Sequence, residues 1–335
     1  MPDMRCFQWW CRLFVIGFCA SLTVVIADDE KPAAKLPAVE RLLAWFPVDT
    51  ETVVAASSFQ LQAPVNLASG KIDLIVFAQT LACGELATLD NRNYLKPLVG
   101  KKVTAAMRGG RHFETVSAFG AHRSEGCAII VFEEDLGEAG NDWINLLRQG
   151  AKDVRMIRGR DVFVFPPTLA MEGIYKIKPW QRTCFVLLKP DTLLCATSDV
   201  YLEEVLQRVE TRPADRALPD TLAEWKRIDS SAPSWMIRHI PDANAKRLIN
   251  GVTWSTTIDR VNIEYLSVGN AEGEVEAQAR TRWQSNGVDF KSDFKRSTDG
   301  SVIVSLDTSV NDPDSFLAKL FLYALQNESG AVGAQ

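Results

Sequence analysis

Apolar residues recur along this chain in two rhythms, every second position over short runs and every third or fourth over a few longer ones, and the two interleave. Alternating runs, together with short continuous apolar or β-branched runs, predict strands at 52–59, 102–108, 112–119, 127–133, 153–157, 161–165, 185–188, 193–197, 235–240, 252–257, 261–267, 288–295 and 302–306. Turn chemistry separates several of them: Gly109-Gly110, the polar loop 121–126, Arg158-Gly159-Arg160, Pro190-Asp191 and Asp299-Gly300. Within 261–267, Val261, Ile263 and Tyr265 alternate with Asn262 and Glu264, which predicts one buried face and one wet face.

Helical spacing predicts a helix over 37–46, opened by Pro37, with Val39, Leu42, Leu43 and Phe46 on one side. A second falls at 72–81, where the period is ambiguous. Asn141 is the expected N-cap of a helix over 142–149, which presents Trp143, Ile144 and Leu147 and stops at Gly150. Ser198 caps a helix carrying Tyr201, Leu202, Val205, Leu206 and Val209, and Asp312-Pro313 opens a last one with Phe316, Leu317, Leu320, Phe321 and Ala324. Residues 271–283 read both ways: Val275, Ala277, Ala279 and Thr281 alternate like a strand, whereas helix formers and the stripe Ala271, Val275, Ala279, Trp283 favour a helix.

These elements predict an α+β fold of antiparallel sheets with helices packed on one face. Strands, then a helix, then a hairpin occur twice, which suggests two related halves: a unit over 37–180 and another over 181–328, followed by a disordered tail at 329–335. Residues 212–219 are the most linker-like interior stretch.

The first 27 residues read as an export signal. Arg5 and Arg12 form a basic start, Leu13 to Ile26 is uncharged and apolar, and Val25-Ile26-Ala27 suits a signal peptidase, with a polar spacer at 28–36 beyond it. The apolar run is shorter than the roughly 20 residues a spanning helix needs, so a cleaved signal is favoured over an uncleaved anchor with Trp9 and Trp10 at the interface. The expected location is periplasmic or extracellular, with no stable membrane span after cleavage. Cleavage leaves a chain one unit more negative than the −5 of the whole, which supplies no electrostatic footprint for nucleic acid or an anionic membrane surface.

Of seven cysteines, Cys83, Cys127, Cys184 and Cys195 follow the signal, enough for two disulfides in an oxidising compartment. Cys127 and Cys195 sit in apolar strands as small hydrophobes. In a two-residue-loop register, Cys184 and Cys195 share a face as diagonal neighbours, about 7–8 Å apart and too far for a relaxed bridge.

Candidate chemistry is sparse. The three histidines include His112 and His122, which lack metal-binding spacing, so no metal site and no cofactor is expected. His239 is the strongest catalytic candidate, on one face of a strand with Trp235 and Ile237, while Arg238 beside it points the other way. Trp180, Trp235 and Trp254 on a common exposed face would form a ligand-stacking surface, although core packing explains tryptophans equally well. Glu133-Glu134-Asp135 reads as a solvated strand end and Arg108-Gly109-Gly110-Arg111 as a charged β-turn. No nucleophile elbow or dinucleotide-binding turn is present.

Four stretches carry a resemblance: Trp45 to Val54 (WFPVDTETVV), Glu125 to Leu136 (EGCAIIVFEEDL), Asp191 to Thr197 (DTLLCAT) with Tyr201 to Leu206, and Ala217-Leu218-Pro219-Asp220 with Trp225 and Trp235 to His239 (WMIRH). Together, over about 37–325, the chain resembles a family of exported, uncharacterised bacterial proteins that occurs in many paralogous copies. The resemblance implies export and no particular reaction, cofactor or catalytic residue. The leading expectation is a non-enzymatic envelope protein that binds a partner protein or small ligand; the alternative is an extracytoplasmic hydrolase using His239 with a nearby carboxylate.

Overall fold

The computed structural model describes residues 24–25, 41–61, 79, 82–84, 94–115, 122–165, 183–239, 249–256, 260–267, 293–296 and 302–307. Thirteen strands among them form one antiparallel sheet: β1 (Val24–Val25), β2 (Thr52–Leu61), β3 (Lys102–Thr115), β4 (His122–Phe132), β5 (Asp153–Ile157), β6 (Arg160–Phe165), β7 (Thr183–Lys189), β8 (Thr192–Ala196), β9 (Ser234–His239), β10 (Ile249–Thr256), β11 (Arg260–Ser267), β12 (Asp293–Arg296) and β13 (Val302–Asp307). Their order is β12-β13-β11-β10-β9-β2-β3-β4-β8-β7-β6-β5, with β1 beside β2. The chain is thus an α+β protein in which the sheet dominates.

The meanders β2-β3-β4 and β9-β10-β11 meet along the antiparallel β2–β9 pair, and each leads outward to a hairpin whose second strand, β6 or β13, faces the meander. In the first half β8 and β7 are inserted between meander and hairpin. Both sequence units therefore contribute to a single sheet.

Because successive side chains in a strand point to opposite sides, the sheet has two apolar faces. On the first face Val53, Ala55, Met107, Ile129, Val186, Leu194, Trp235 and Ile237 pack against residues 42–46, against helix α2 (Asp199–Thr211) and against the coil after it. Ser198 caps α2 as expected, its side chain accepting from the Tyr201 amide, and buries Tyr201, Leu202, Val205 and Leu206, each worth about 1.5–3 kcal/mol. The segment 212–219 is not a loose linker: Ala217 and Leu218 are buried, and the Leu218 carbonyl accepts from the Trp225 indole at 2.9 Å.

On the second face helix α1 (Gly137–Gly150) buries Trp143 and Leu147. Trp143, Phe185, Phe165 and Tyr94 form a chain of edge-to-face rings with centroids 5.4–6.3 Å apart. The two long helices of the described residues thus divide between the faces, because Phe185 and Val186, adjacent in β7, each need a cover. α1 also begins earlier than the Asn141 signal predicts, at Gly137 after Leu136, with no side-chain cap.

Three strand boundaries depart from the sequence pattern for identifiable reasons. β3 runs unbroken through Gly109-Gly110, and β4 begins at His122 where a loop to Gly126 is expected. The glycines serve close packing instead of a turn: a Cβ on Gly109 would lie 2.5 Å from the Phe46 ring, and Gly110 opposes Gly126 with the Glu125 carbonyl 3.1 Å from where its Cβ would be. At the Pro190-Asp191 hairpin Lys189 pairs with Thr192, but Leu187 already pairs with Leu193, so a bulge shifts the register by one. Cys184 and Cys195 consequently fall on opposite faces, not on a shared one. All four described cysteines are buried.

Other expectations are met or lie elsewhere. Arg158 and Gly159, both at positive φ, join β5 to β6 in a two-residue turn. Of the helix expected over 37–46, residues 41–43 are helical and 44–46 already turn, so it ends before the expected Phe46. The bulk of the 72–81 helix, residues 271–283, the Asp299-Gly300 turn, the last helix, the tail and all of the export signal except Val24 and Val25 lie outside the described residues.

Candidate functional site

His239 ends β9 on the same face as Trp235 and Ile237. Opposite it in β10 stands Gly251, and the missing side chain admits Glu224 from the short 3-10 helix Ala223–Lys226; a Cβ there would lie 2.5 Å from Glu224 Oε1. Glu224 is buried, and its Oε1 is 2.7 Å from His239 Nδ1, whose side chain keeps 32% of its surface exposed. The carboxylate consumes Nδ1, so Nε2 is the ring nitrogen left for any further partner. Next to this pair Arg227 donates to Glu264 Oε1 at 2.7 Å. Glu264, assigned to the wet face of its strand, is therefore buried beneath the covering coil.

The remaining predicted residues do not converge on His239. Arg238 is buried and belongs to the opposite face, as alternation requires. Trp235 is buried on the first face, edge-on to Trp225 with ring centroids 5.7 Å apart, so its surface is used in the core. Trp254 is buried too, paired with Met236 on the second face. These two tryptophans share no exposed surface, and Trp180 lies outside the described residues. His112 lies within β3 and His122 opens β4. Glu133, beyond the end of β4, makes an exposed ion pair with Lys102 at 3.4 Å. Among the described residues no group of three His, Cys, Asp or Glu is placed to hold a metal.

Among the described residues the densest polar constellation centres on Arg111, which the pattern assigns to a turn. Because β3 continues past the glycines, Arg111 points onto the first face beneath α2. One guanidinium nitrogen donates to Asp49 at 3.0 and 3.1 Å and to Glu204 Oε2 at 2.8 Å; the other donates to Glu204 Oε1 at 2.8 Å and Glu125 at 3.1 Å. Its cationic carbon lies 5.0 Å from the centre of the Tyr201 ring, whose hydroxyl is 2.8 Å from Thr50 Oγ1. Burial disfavours the charged form of Arg111, but the bonds from Glu204 and Glu125 and the charges of Asp49 and Glu204 outweigh it and raise its pKa. The cluster clamps α2 and the 47–51 turn onto β3 and β4. Burial pushes the Tyr201 hydroxyl up, and pushes the Cys83 thiol up to about 12.

One surface departs from this pattern of covered faces. Strand β5 pairs on one side only among the described residues and ends the described sheet there, as β12 does at the other side. Val154 and Met156 on its second face are 42% and 68% exposed. On its first face Arg155 donates to Asp153 at 2.8 Å and to Asp199 at 2.7 Å.

No protein-family model and no curated protein sequence matches the chain. Its fold is similar to solved structures of TP0453. Crystal form I is 10% identical with a TM-score of 0.44, covering 87% of this chain and 99% of that one; crystal form IV is 8% identical with a TM-score of 0.43, covering 83% and 95%.

Proposed function

We propose that this is an exported envelope protein, of the uncharacterised family it resembles, that acts by binding a partner protein. The observation that carries the reading is β5: a terminal strand with one backbone edge open among the described residues, presenting Val154 and Met156 to solvent. An edge strand with exposed apolar side chains is the physical prerequisite for adding a strand from another chain. A photo-crosslinking side chain at Met156 in the exported protein tests this. A discrete covalent adduct formed in the envelope is expected, and absence of adducts from both 154 and 156 would remove the reading.

A second reading has its own observation. Glu224 holds His239 Nδ1 at 2.7 Å, the arrangement that orients an imidazole so that Nε2 takes a proton from a nucleophile. It favours an extracytoplasmic hydrolase. With chromogenic acyl esters as probes, H239A should then lower turnover by about 100-fold or more. Equal turnover by wild type and variant would sink the hydrolase.

A further inference from the structure

We propose that the partner of β5 is a second copy of this chain, bound edge to edge about a two-fold axis through Val154. This rests on the partner-binding reading and adds the identity of the partner.

The argument is one of register. A two-fold axis normal to the sheet keeps each face continuous and pairs residue i with a residue of the same parity, so only axes through a residue position are allowed. An axis through Asp153 opposes two aspartates, and one through Arg155 opposes two arginines. An axis through Met156 sets Arg155 against Ile157 and Val154 against Arg158. The axis through Val154 alone places Asp153 of each copy opposite Arg155 of the other, twice over. Charges on an edge strand ordinarily deter pairing, but opposite signs two residues apart on one face make this edge complementary to itself.

The other face gives the same answer. Val154 would meet its symmetry mate on the axis, and Met156, the most exposed of the large hydrophobic residues described, would lie opposite Lys152, whose methylene stem can cover it. Asp153 and Arg155 are already held 2.8 Å apart, and Asp199 anchors the arginine from α2. The charged face is thus partly ordered before association, which lowers its entropic cost.

The register makes a covalent test available. In antiparallel pairs directly opposed residues have Cα atoms about 4.5–5.5 Å apart, within disulfide range. Val154 is exposed and the four described native thiols are buried, so a cysteine there reports on the interface. Under mild oxidation V154C should form a disulfide-linked dimer and M156C should not, and sedimentation of the wild type should show a reversible dimer. D153R sets arginine against arginine at both ends of the pair and should weaken self-association by about tenfold or more. A native circular dichroism spectrum of D153R would show that the fold persists, and D153N, which removes the attraction without adding repulsion, should fall between.

A wild type that is monomeric at every concentration, or cross-linking of M156C in preference to V154C, overturns the proposal. The photo-crosslinker at Met156 separates this failure from that of the parent reading. An adduct with a different protein, alongside a monomeric V154C, removes the dimer and leaves partner binding; no adduct and no dimer remove both.

Discussion

At one end of the first face Arg111 holds three carboxylates from three separate segments, while towards the other His239 holds a single one. Both fasten a covering to the sheet: α2 and the 47–51 turn in the first case, the coil carrying Glu224 and Trp225 in the second. Bond number misleads about their strength. Asp49 accepts two hydrogen bonds from Arg111 but its side chain is 58% exposed, so water competes for both. Glu125 accepts one from Arg111 and is 1% exposed, so water does not compete for that bond. Burial of the acceptor decides which contact carries stability.

The largest effect is expected from Arg111→Leu, which takes the cation from three carboxylates at once, the buried Glu125 among them, and should cost about 3–5 kcal/mol in a urea titration. His239→Ala takes the partner from a buried Glu224, but the histidine is itself 32% exposed, so water can enter in its place and the loss should be about 1–3 kcal/mol by the same measurement. If the two losses prove equal, the distinction between the ends of the face is gone. Asp49→Ala should cost less than about 1 kcal/mol despite its two bonds. A double-mutant cycle should find stronger coupling of Arg111 to Glu125 than to Asp49.

The smallest effect is read mainly in alkali. The folded chain holds the Tyr201 proton above the ordinary value of 10.0 because the hydroxyl is buried. The unfolded chain releases that proton first, so this contribution is whole below pH 10 and declines as pH rises beyond it. Tyr201→Phe should flatten the alkaline fall in stability and, through loss of the Thr50 hydrogen bond, lower stability slightly at neutral pH. An unchanged alkaline slope in the variant would assign the fall to other groups, the buried Cys83 thiol first among them.

How much of this could be read in advance depends on whether a residue's reason is local. The Ser198 cap and the Arg158-Gly159 turn are local devices, complete within a few residues, and both sit where their signals predict. Gly109-Gly110 carries the same local signal as a turn, but its cause is remote: the Phe46 ring and the Gly126 backbone occupy the space a side chain would need. Once that pair is taken for a turn, Arg111 moves from the middle of a strand to a loop, and its role is lost. Its partners lie 62, 93 and 14 residues away in sequence, with no spacing motif to signal them. His239 was visible as chemistry, while Glu224 became visible only when Gly251 was found to make room for it. Fold class, built from periodicity, was legible; the one-residue bulge at Leu187 to Lys189 that separates Cys184 from Cys195 had no signature.

The insertion of β8 and β7 between β4 and β6 also has a consequence in time. A chain made from its N-terminus completes β4, α1 and the β5–β6 hairpin before the strands that join the hairpin to the sheet exist. Until residues 183–196 arrive, Phe163 and Phe165 have no Phe185 to pack on, and the hairpin, marginal by itself, is held by little more than Tyr94 and Arg148. A chain ending at residue 182 should therefore show rapid amide exchange throughout 153–165, and restoring residues 183–196 should slow it. During that interval β4 and β6 both present edges that β8 and β7 later cover, which makes synthesis through the β7–β8 hairpin a step exposed to misassembly.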